Sequence, residues 1–134
     1  MQLKMRHISA FLLCAYIVAV AALCFIKPSS LPQVELNFFG IAMDKLVHFI
    51  MFFPFPILAY MTFWPADASK PRKMAVLIVI MVFGAGMAVA TEKIQAMTGY
   101  RTGDITDFTA DMTGILAGAA LTTLFILLKK DRKN

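Results

Sequence analysis

Three short stretches of this chain carry the side chains best suited to chemistry, and within each stretch these residues recur at intervals of three or four. Such intervals place side chains on one face of a helix. Carboxylates beside an imidazole serve in acid–base catalysis or bind divalent cations, and basic side chains beside them bind anions. The candidate ligand-binding residues are Asp44, Lys45, His48, Glu92, Gln95, Arg101, Asp104, Asp107 and Asp111.

The composition of the chain assigns these stretches to a membrane protein. Of the 134 residues, 60% are apolar and 16% are charged, and the mean hydropathy is +0.74. Soluble domains average about 45–50% apolar and about 25% charged residues. A soluble globule is therefore excluded. Because the apolar residues are spread along nearly the whole chain, a single anchor attached to a soluble domain is excluded as well.

Four windows are long and apolar enough to cross a bilayer as helices, each of which needs about 20 such residues. The chain is predicted to be all-α: one integral membrane domain over residues 1–134, a four-helix bundle with short loops. Pro54 and Pro56 remove backbone donors and predict a kink in the second span just below His48. The predicted spans cover residues 8–26, 46–64, 74–92 and 107–128.

Small residues predict how two of the spans pack. Gly114 and Gly118 form a small-xxx-small pair in the fourth window, and Gly84 and Ala88 form a similar stripe in the third. Small residues let two backbones approach closely in lipid. The sequence therefore predicts that the third and fourth spans form an antiparallel hairpin, packed tightly at mid-depth and opening outward into a polar pocket.

The charged residues divide unequally between the two sides of such a bundle. With a cytoplasmic N-terminus, nine of the 13 lysines and arginines fall on the cytoplasmic side, as the positive-inside rule requires. Six of the eight acidic residues fall on the other side. Both termini are therefore predicted to be cytoplasmic, with the three polar stretches meeting at the outer face. The basic balance reflects this topology and contact with membrane lipids, and it does not predict nucleic-acid binding.

Four motifs carry a family resemblance: Asp44-Lys45-x-x-His48-Phe49, Glu92-x-x-Gln95, Arg101-x-x-Asp104-x-x-Asp107 and Gly114-x-x-x-Gly118. Over about residues 44–118 they resemble the VanZ-like family of small bacterial membrane proteins. The family pattern commonly has asparagine at the position of Asp111. The founding member is associated with resistance to the glycopeptide antibiotic teicoplanin, so the resemblance implies a multi-pass protein of the bacterial cytoplasmic (inner) membrane that acts in the cell envelope.

Three functions remain open for the polar stretches. Arg101, Lys45 and His48 favour recognition of an anionic headgroup, such as a lipid-linked phosphate or the carboxylate of a cell-wall precursor. A structural network of ion pairs between helix ends is the second alternative. The third is a metal-dependent hydrolase or transferase acting on a lipid-linked phosphate. A transporter is disfavoured because the helix centres carry no charge.

The catalytic alternative names specific residues. His48 is the natural general base or metal ligand, and Glu92 or Asp107 is its partner or a proton donor. The sequence leaves open whether the protein is an enzyme, whether it forms oligomers and which ligand it binds. If a divalent cation is its cofactor, the candidate ligands are Asp44, His48, Glu92, Asp107 and Asp111.

Overall fold

Helices make up almost all of the fold. The computed structural model describes residues 2–26, 37–38, 40–99 and 104–129. A short antiparallel ladder, which the sequence did not predict, pairs β1 (Asn37–Phe38) with β2 (Ile41–Ala42). The helices are α1 (Gln2–Phe25), α2 (Met43–Phe52), α3 (Pro54–Thr62), α4 (Lys70–Met97) and α5 (Ile105–Leu128).

These helices form four candidate membrane spans, so the prediction of an all-α, four-span membrane protein is confirmed. The spans are longer than the predicted windows because charged helix ends lower the hydropathy of a window without ending the helix. The third span, for example, continues five residues beyond the predicted window. The candidate spans are Leu3–Phe25, Met43–Thr62, Lys70–Met97 and Ile105–Leu128.

The second span is interrupted where the two prolines follow each other. α2 ends at Phe52 and α3 begins at Pro54, while Phe53 between them keeps helical backbone angles (φ −57°, ψ −42°). Pro54 and Pro56 have no backbone N–H, so two carbonyl groups of α2 lose their usual partners four residues on. The predicted disturbance below His48 is thus a break in the hydrogen bonding of one continuous span.

The glycines of α5 pack against this interruption. A Cβ atom on Gly114 would lie 2.5 Å from the carbonyl oxygen of Phe49, and one on Gly118 would overlap the carbonyl oxygen of Phe53. The predicted pairing of this stripe with Gly84 is therefore wrong, although α4 and α5 are neighbours. Spacing identifies a face suited to close approach, but it does not decide which helix occupies that face, and here the backbone around Phe49 and Phe53 does so.

The two ends of the bundle differ in charge. At one end, the basic end, Arg6 Nε donates to the Thr62 carbonyl oxygen at 3.4 Å, and Lys70 Nζ to the Leu127 carbonyl oxygen at 3.3 Å. The start of α1 and the end of α5 therefore lie together, and their cytoplasmic placement stays a prediction. The opposite, acidic end is formed by the starts of α2 and α5 and the end of α4. Described basic side chains at the basic end are Lys4, Arg6, Lys70, Arg72, Lys73 and Lys129.

Large apolar side chains cover the outside of the bundle as well as its core. Phe52 and Ile115 are completely buried between α2, α4 and α5, whereas Phe11 and Phe83 are more than 70% exposed. In water such exposed phenylalanines would be unfavourable, but in a bilayer they contact lipid. Tyr16 Oη donates to the carbonyl oxygen of Met51 at 2.7 Å and joins α1 to this core.

Candidate ligand site at the acidic end

A buried histidine lies at the centre of the acidic end. His48 on α2 is 1% exposed, and its Nδ1 lies 2.8 Å from Oδ1 of Asp111, which is completely buried. Its Nε2 lies 3.6 Å from Oδ2 of Asp107. Asp107 and Asp111 are one turn apart on α5, so both reach the imidazole from the same helix face.

Lys45 forms a second set of contacts one turn nearer to the membrane surface. Its Nζ donates to Asp107 Oδ1 at 2.7 Å and to Asp44 Oδ2 at 3.3 Å. The same ammonium lies 3.6 Å from Asp104 Oδ2. Asp107 therefore contacts both the lysine and the histidine, and it joins the surface part of the cluster to the buried part.

The third span contributes Glu92. Its Oε2 accepts a hydrogen bond from the backbone N–H of Asp104 at 3.3 Å. Donor atoms of His48, Glu92 and Asp111 all lie within 4.8 Å of one another, although they come from three different spans. Within the part of the chain that the structure describes, Oε1 of Glu92 and Oδ2 of Asp111 are buried and have no hydrogen-bond partner. These two carboxylate oxygens can therefore still accept a hydrogen bond or bind a cation.

Asp104 positions the start of α5. Its carboxylate accepts a hydrogen bond from the backbone N–H of Thr106 at 2.9 Å, the usual arrangement of a helix N-cap. This hydrogen bond lowers the pKa of Asp104 below its ordinary value, and the nearby Lys45 ammonium acts in the same direction. Sequence reasoning did not single out Thr106, although an aspartate just before an apolar helix signals such a cap.

The structure brings together most, but not all, of the residues that the sequence predicted. Arg101 lies outside the described residues. Gln95 is buried on α4 one turn from Glu92, and among the described contacts no ion pair or hydrogen bond joins its amide to the cluster. The seven residues joined by the contacts above are Asp44, Lys45, His48, Glu92, Asp104, Asp107 and Asp111.

The cluster carries more negative than positive charge. Its members include five carboxylates but, among the described residues, only one lysine that contacts them. A protonated His48 would not make up the difference. Uncompensated charge at a low-dielectric position is unfavourable. Because Lys45 and His48 are already engaged by carboxylates, the arrangement is better suited to binding a cation than to binding an anion directly.

Two surface grooves flank the start of α5 beside the cluster. One, of about 640 Å³, lies between α2 and α5 and includes Lys45. The other, of about 480 Å³, lies between α4 and α5 and includes Glu92 and Asp104. His48 and Asp111 are buried and line neither groove, whereas Lys45 and Glu92 of the cluster do. The cluster is therefore next to two openings.

Four apolar spans with a buried histidine–carboxylate cluster at one end define a multi-pass membrane protein with a candidate ligand site near the membrane surface. The VanZ/LLP1 family model matches residues 11–127. The chain therefore belongs to the VanZ-like family, and the resemblance inferred from the motifs is confirmed. All nine candidate ligand-binding residues fall within the matched range.

One relative comes from a eukaryote. The uncharacterized protein C11E3.10 of Schizosaccharomyces pombe is 32% identical over 82 residues, which cover 61% of this chain and 48% of the relative. The chain thus spans about half the length of this relative. No solved structure matches the chain. Since a eukaryotic protein shares the sequence pattern, the comparison shows the family and not a bacterial origin.

Proposed function

We propose that the acidic-end cluster binds a divalent cation and, through it, recognises or modifies an anionic headgroup at the membrane surface. The convergence of His48, Glu92 and Asp111 carries this proposal, because their donor atoms lie within 4.8 Å of one another. Ligands of one divalent ion lie about 3–5 Å apart. Rotation of these three side chains would therefore be enough to bring their donor atoms around one ion.

The charge of the cluster supports the same proposal. A divalent cation would offset part of the surplus of carboxylates, and it would use the free oxygens of Glu92 and Asp111. One imidazole together with carboxylates suits manganese or zinc. The remaining positions around the ion would then accept a phosphate or carboxylate oxygen of the ligand, which Lys45 would help to hold from the surface side.

A catalytic form of this function is a metal-dependent hydrolase or transferase acting on a lipid-linked phosphate. A bound cation would polarise a phosphoryl oxygen. Asp107, which lies 3.6 Å from His48 Nε2 and is not one of the three proposed ligands, would accept or donate a proton. The alternative of a purely structural ion-pair network predicts instead that no ion binds.

Membership of the VanZ-like family supports a role in the cell envelope. We place the protein in a bacterial cytoplasmic membrane with the acidic end outside, as the distribution of basic residues predicts. Its ligand would then be a lipid headgroup or a cell-wall precursor of the outer leaflet. Reduced susceptibility to teicoplanin is the phenotype that we propose for such an activity.

Manganese titration of the purified protein tests this function. We expect the wild-type chain in detergent to take up about one Mn²⁺ per molecule, followed by the loss of the free-ion signal in electron paramagnetic resonance. His48→Ala and Glu92→Gln should each weaken binding by about 10–100-fold or more, because the first removes a ligand and the second replaces a charged oxygen ligand with a neutral one. His7→Ala is the matched control, since His7 is the other histidine of the chain and lies on α1 near the basic end.

The two alternatives give different results in this titration. A structural network predicts no uptake of Mn²⁺ by any variant. Equal uptake by the wild type and by His48→Ala would show that Mn²⁺ binds elsewhere, for example at exposed carboxylates. Either result contradicts the proposed site.

A further inference from the structure

The groove between α2 and α5 has an apolar wall beside the charged cluster. α2 lines it with Lys45, Leu46 and Phe49, and α5 with Thr106, Ala110 and Thr113. The hydroxyl of Thr113 donates to a carbonyl oxygen of its own helix at 2.7 Å. Its hydrogen-bonding capacity as a donor is thus used within α5, and the wall is almost entirely hydrophobic despite its threonines.

Polarity changes along this groove. Lys45 and Thr106 lie at the end near the membrane surface, and Phe49 and Thr113 lie deeper in the span. Thr113 lies seven positions after Thr106 on α5, which corresponds to a rise of about 10 Å. The groove therefore has one charged end and a long hydrophobic part, which is the polarity of a membrane lipid.

The groove is also continuous with the cluster. Thr106 and Ala110 directly precede Asp107 and Asp111 on α5, and Lys45 lines the groove while its Nζ lies 2.7 Å from Asp107. A molecule whose apolar part lies along the groove would thus have its polar end next to the buried donors. An exposed Thr113 at the rim means that the groove opens sideways toward the lipid.

We infer that this groove holds an acyl chain of a phosphate-bearing membrane lipid, whose headgroup lies at Lys45 and the cation site. The inference rests on the proposed function and specifies its ligand as a lipid that enters laterally from the bilayer. Without a cation the surplus of carboxylates repels an anionic headgroup. A bound cation reduces that surplus and offers a phosphate oxygen a direct bond to the ion, so occupation of the groove by an anionic lipid depends on the cation.

Tryptophan quenching by brominated lipid tests this inference. The chain has a single tryptophan, Trp64, so the variant Trp64→Phe provides a background without tryptophan fluorescence. Phe49→Trp then reports from the groove, and Leu46→Trp is a second reporter should the first fail to fold. Phe11→Trp is the matched control, because Phe11 is also a phenylalanine in a span and is 73% exposed to lipid.

Each reporter is measured in phosphatidylcholine vesicles that contain a minor fraction of brominated phosphatidic acid, and quenching is the loss of fluorescence relative to vesicles with unbrominated phosphatidic acid at the same Mn²⁺ concentration. We expect Mn²⁺ to increase quenching at Phe49→Trp to at least about twice that at Phe11→Trp, and a chelator to remove this excess. Ala110→Phe fills the groove without changing a charge. In the Phe49→Trp background it should abolish the excess quenching but leave Mn²⁺ uptake unchanged.

The outcomes separate this inference from the proposed function. Mn²⁺ uptake with equal quenching at the two reporters overturns the lipid groove and leaves the cation site standing. Excess quenching that persists in chelator overturns the dependence on the cation. Absence of Mn²⁺ uptake overturns the proposed function, and the inference that rests on it falls with it.

Discussion

Gly118→Ala is expected to destabilise the folded bundle by about 3 kcal/mol or more, at the upper end of the cost of overpacking. The added methyl group would overlap the carbonyl oxygen of Phe53 and would lie 3.2 Å from the ring of Pro56. A flexible side chain could move aside, but a backbone oxygen and a proline ring cannot move without displacing α3. Unfolding in detergent, followed by the fluorescence of Trp64, measures this loss.

Gly86→Ala is the matched control for this substitution. Gly86 also lies within a helix, on α4, but a Cβ atom there would have no neighbouring atom within 4 Å. Alanine at this position should stabilise the protein by about 0.5–1 kcal/mol, because glycine is the poorer helix former. Equal effects of Gly118→Ala and Gly86→Ala would contradict the close approach of α5 to the interrupted second span.

Asp111→Asn is expected to change stability in opposite directions with and without a divalent cation. In chelator it should stabilise the protein by about 1 kcal/mol, because it removes a negative charge from a buried cluster that has too many. Asparagine keeps an oxygen that can accept the hydrogen bond from His48. With Mn²⁺ at about 100 times its Kd, the wild type gains about 2.7 kcal/mol that the variant lacks.

Thermal unfolding of the wild type and of Asp111→Asn, each in chelator and in Mn²⁺, measures this change in the sign of the stability difference. Asp67→Asn is the control, since Asp67 is exposed in the connection between α3 and α4, away from the cluster. It should behave like the wild type in both conditions. If Asp111→Asn lowers the unfolding temperature by the same amount with and without Mn²⁺, the carboxylate has a structural role and the cation site is wrong.

The spans and their interruption were predictable because they follow from local chemistry. In lipid, the backbone N–H and C=O groups of a long apolar segment must bond to one another, which a helix allows. Pro54 and Pro56 lack a backbone N–H in any surroundings. The helical spacing of Asp107 and Asp111 likewise placed them on one face. These features need no knowledge of which helices are neighbours.

Which helix packs against each of these helix faces was not predictable, because it depends on three-dimensional packing. The spacing of Gly114 and Gly118 predicts a close contact, but it does not distinguish α4 from the interrupted second span. Five carboxylates gather around one lysine in the structure, and Lys45 and His48 are already paired with two of them. The sequence predicts that these two side chains are available for an anion, whereas their contacts engage both of them with carboxylates.

Buried ionisable groups in a membrane span are costly, and proteins keep them mainly at functional sites. In this chain the surplus of acids lies at the point where three spans meet, and the free oxygens of Glu92 and Asp111 lie there as well. A purely structural network would gain more from equal numbers of charges or from apolar side chains of similar size. The cluster therefore has the composition of a binding site.

The cation site itself is tested most directly by pulsed electron paramagnetic resonance of the protein loaded with Mn²⁺, which detects nitrogen nuclei bound to the metal. We predict a coupling from one imidazole nitrogen that is lost in His48→Ala and retained in His7→Ala. A spectrum of bound Mn²⁺ without a nitrogen coupling, or one in which the coupling survives in His48→Ala, would contradict it.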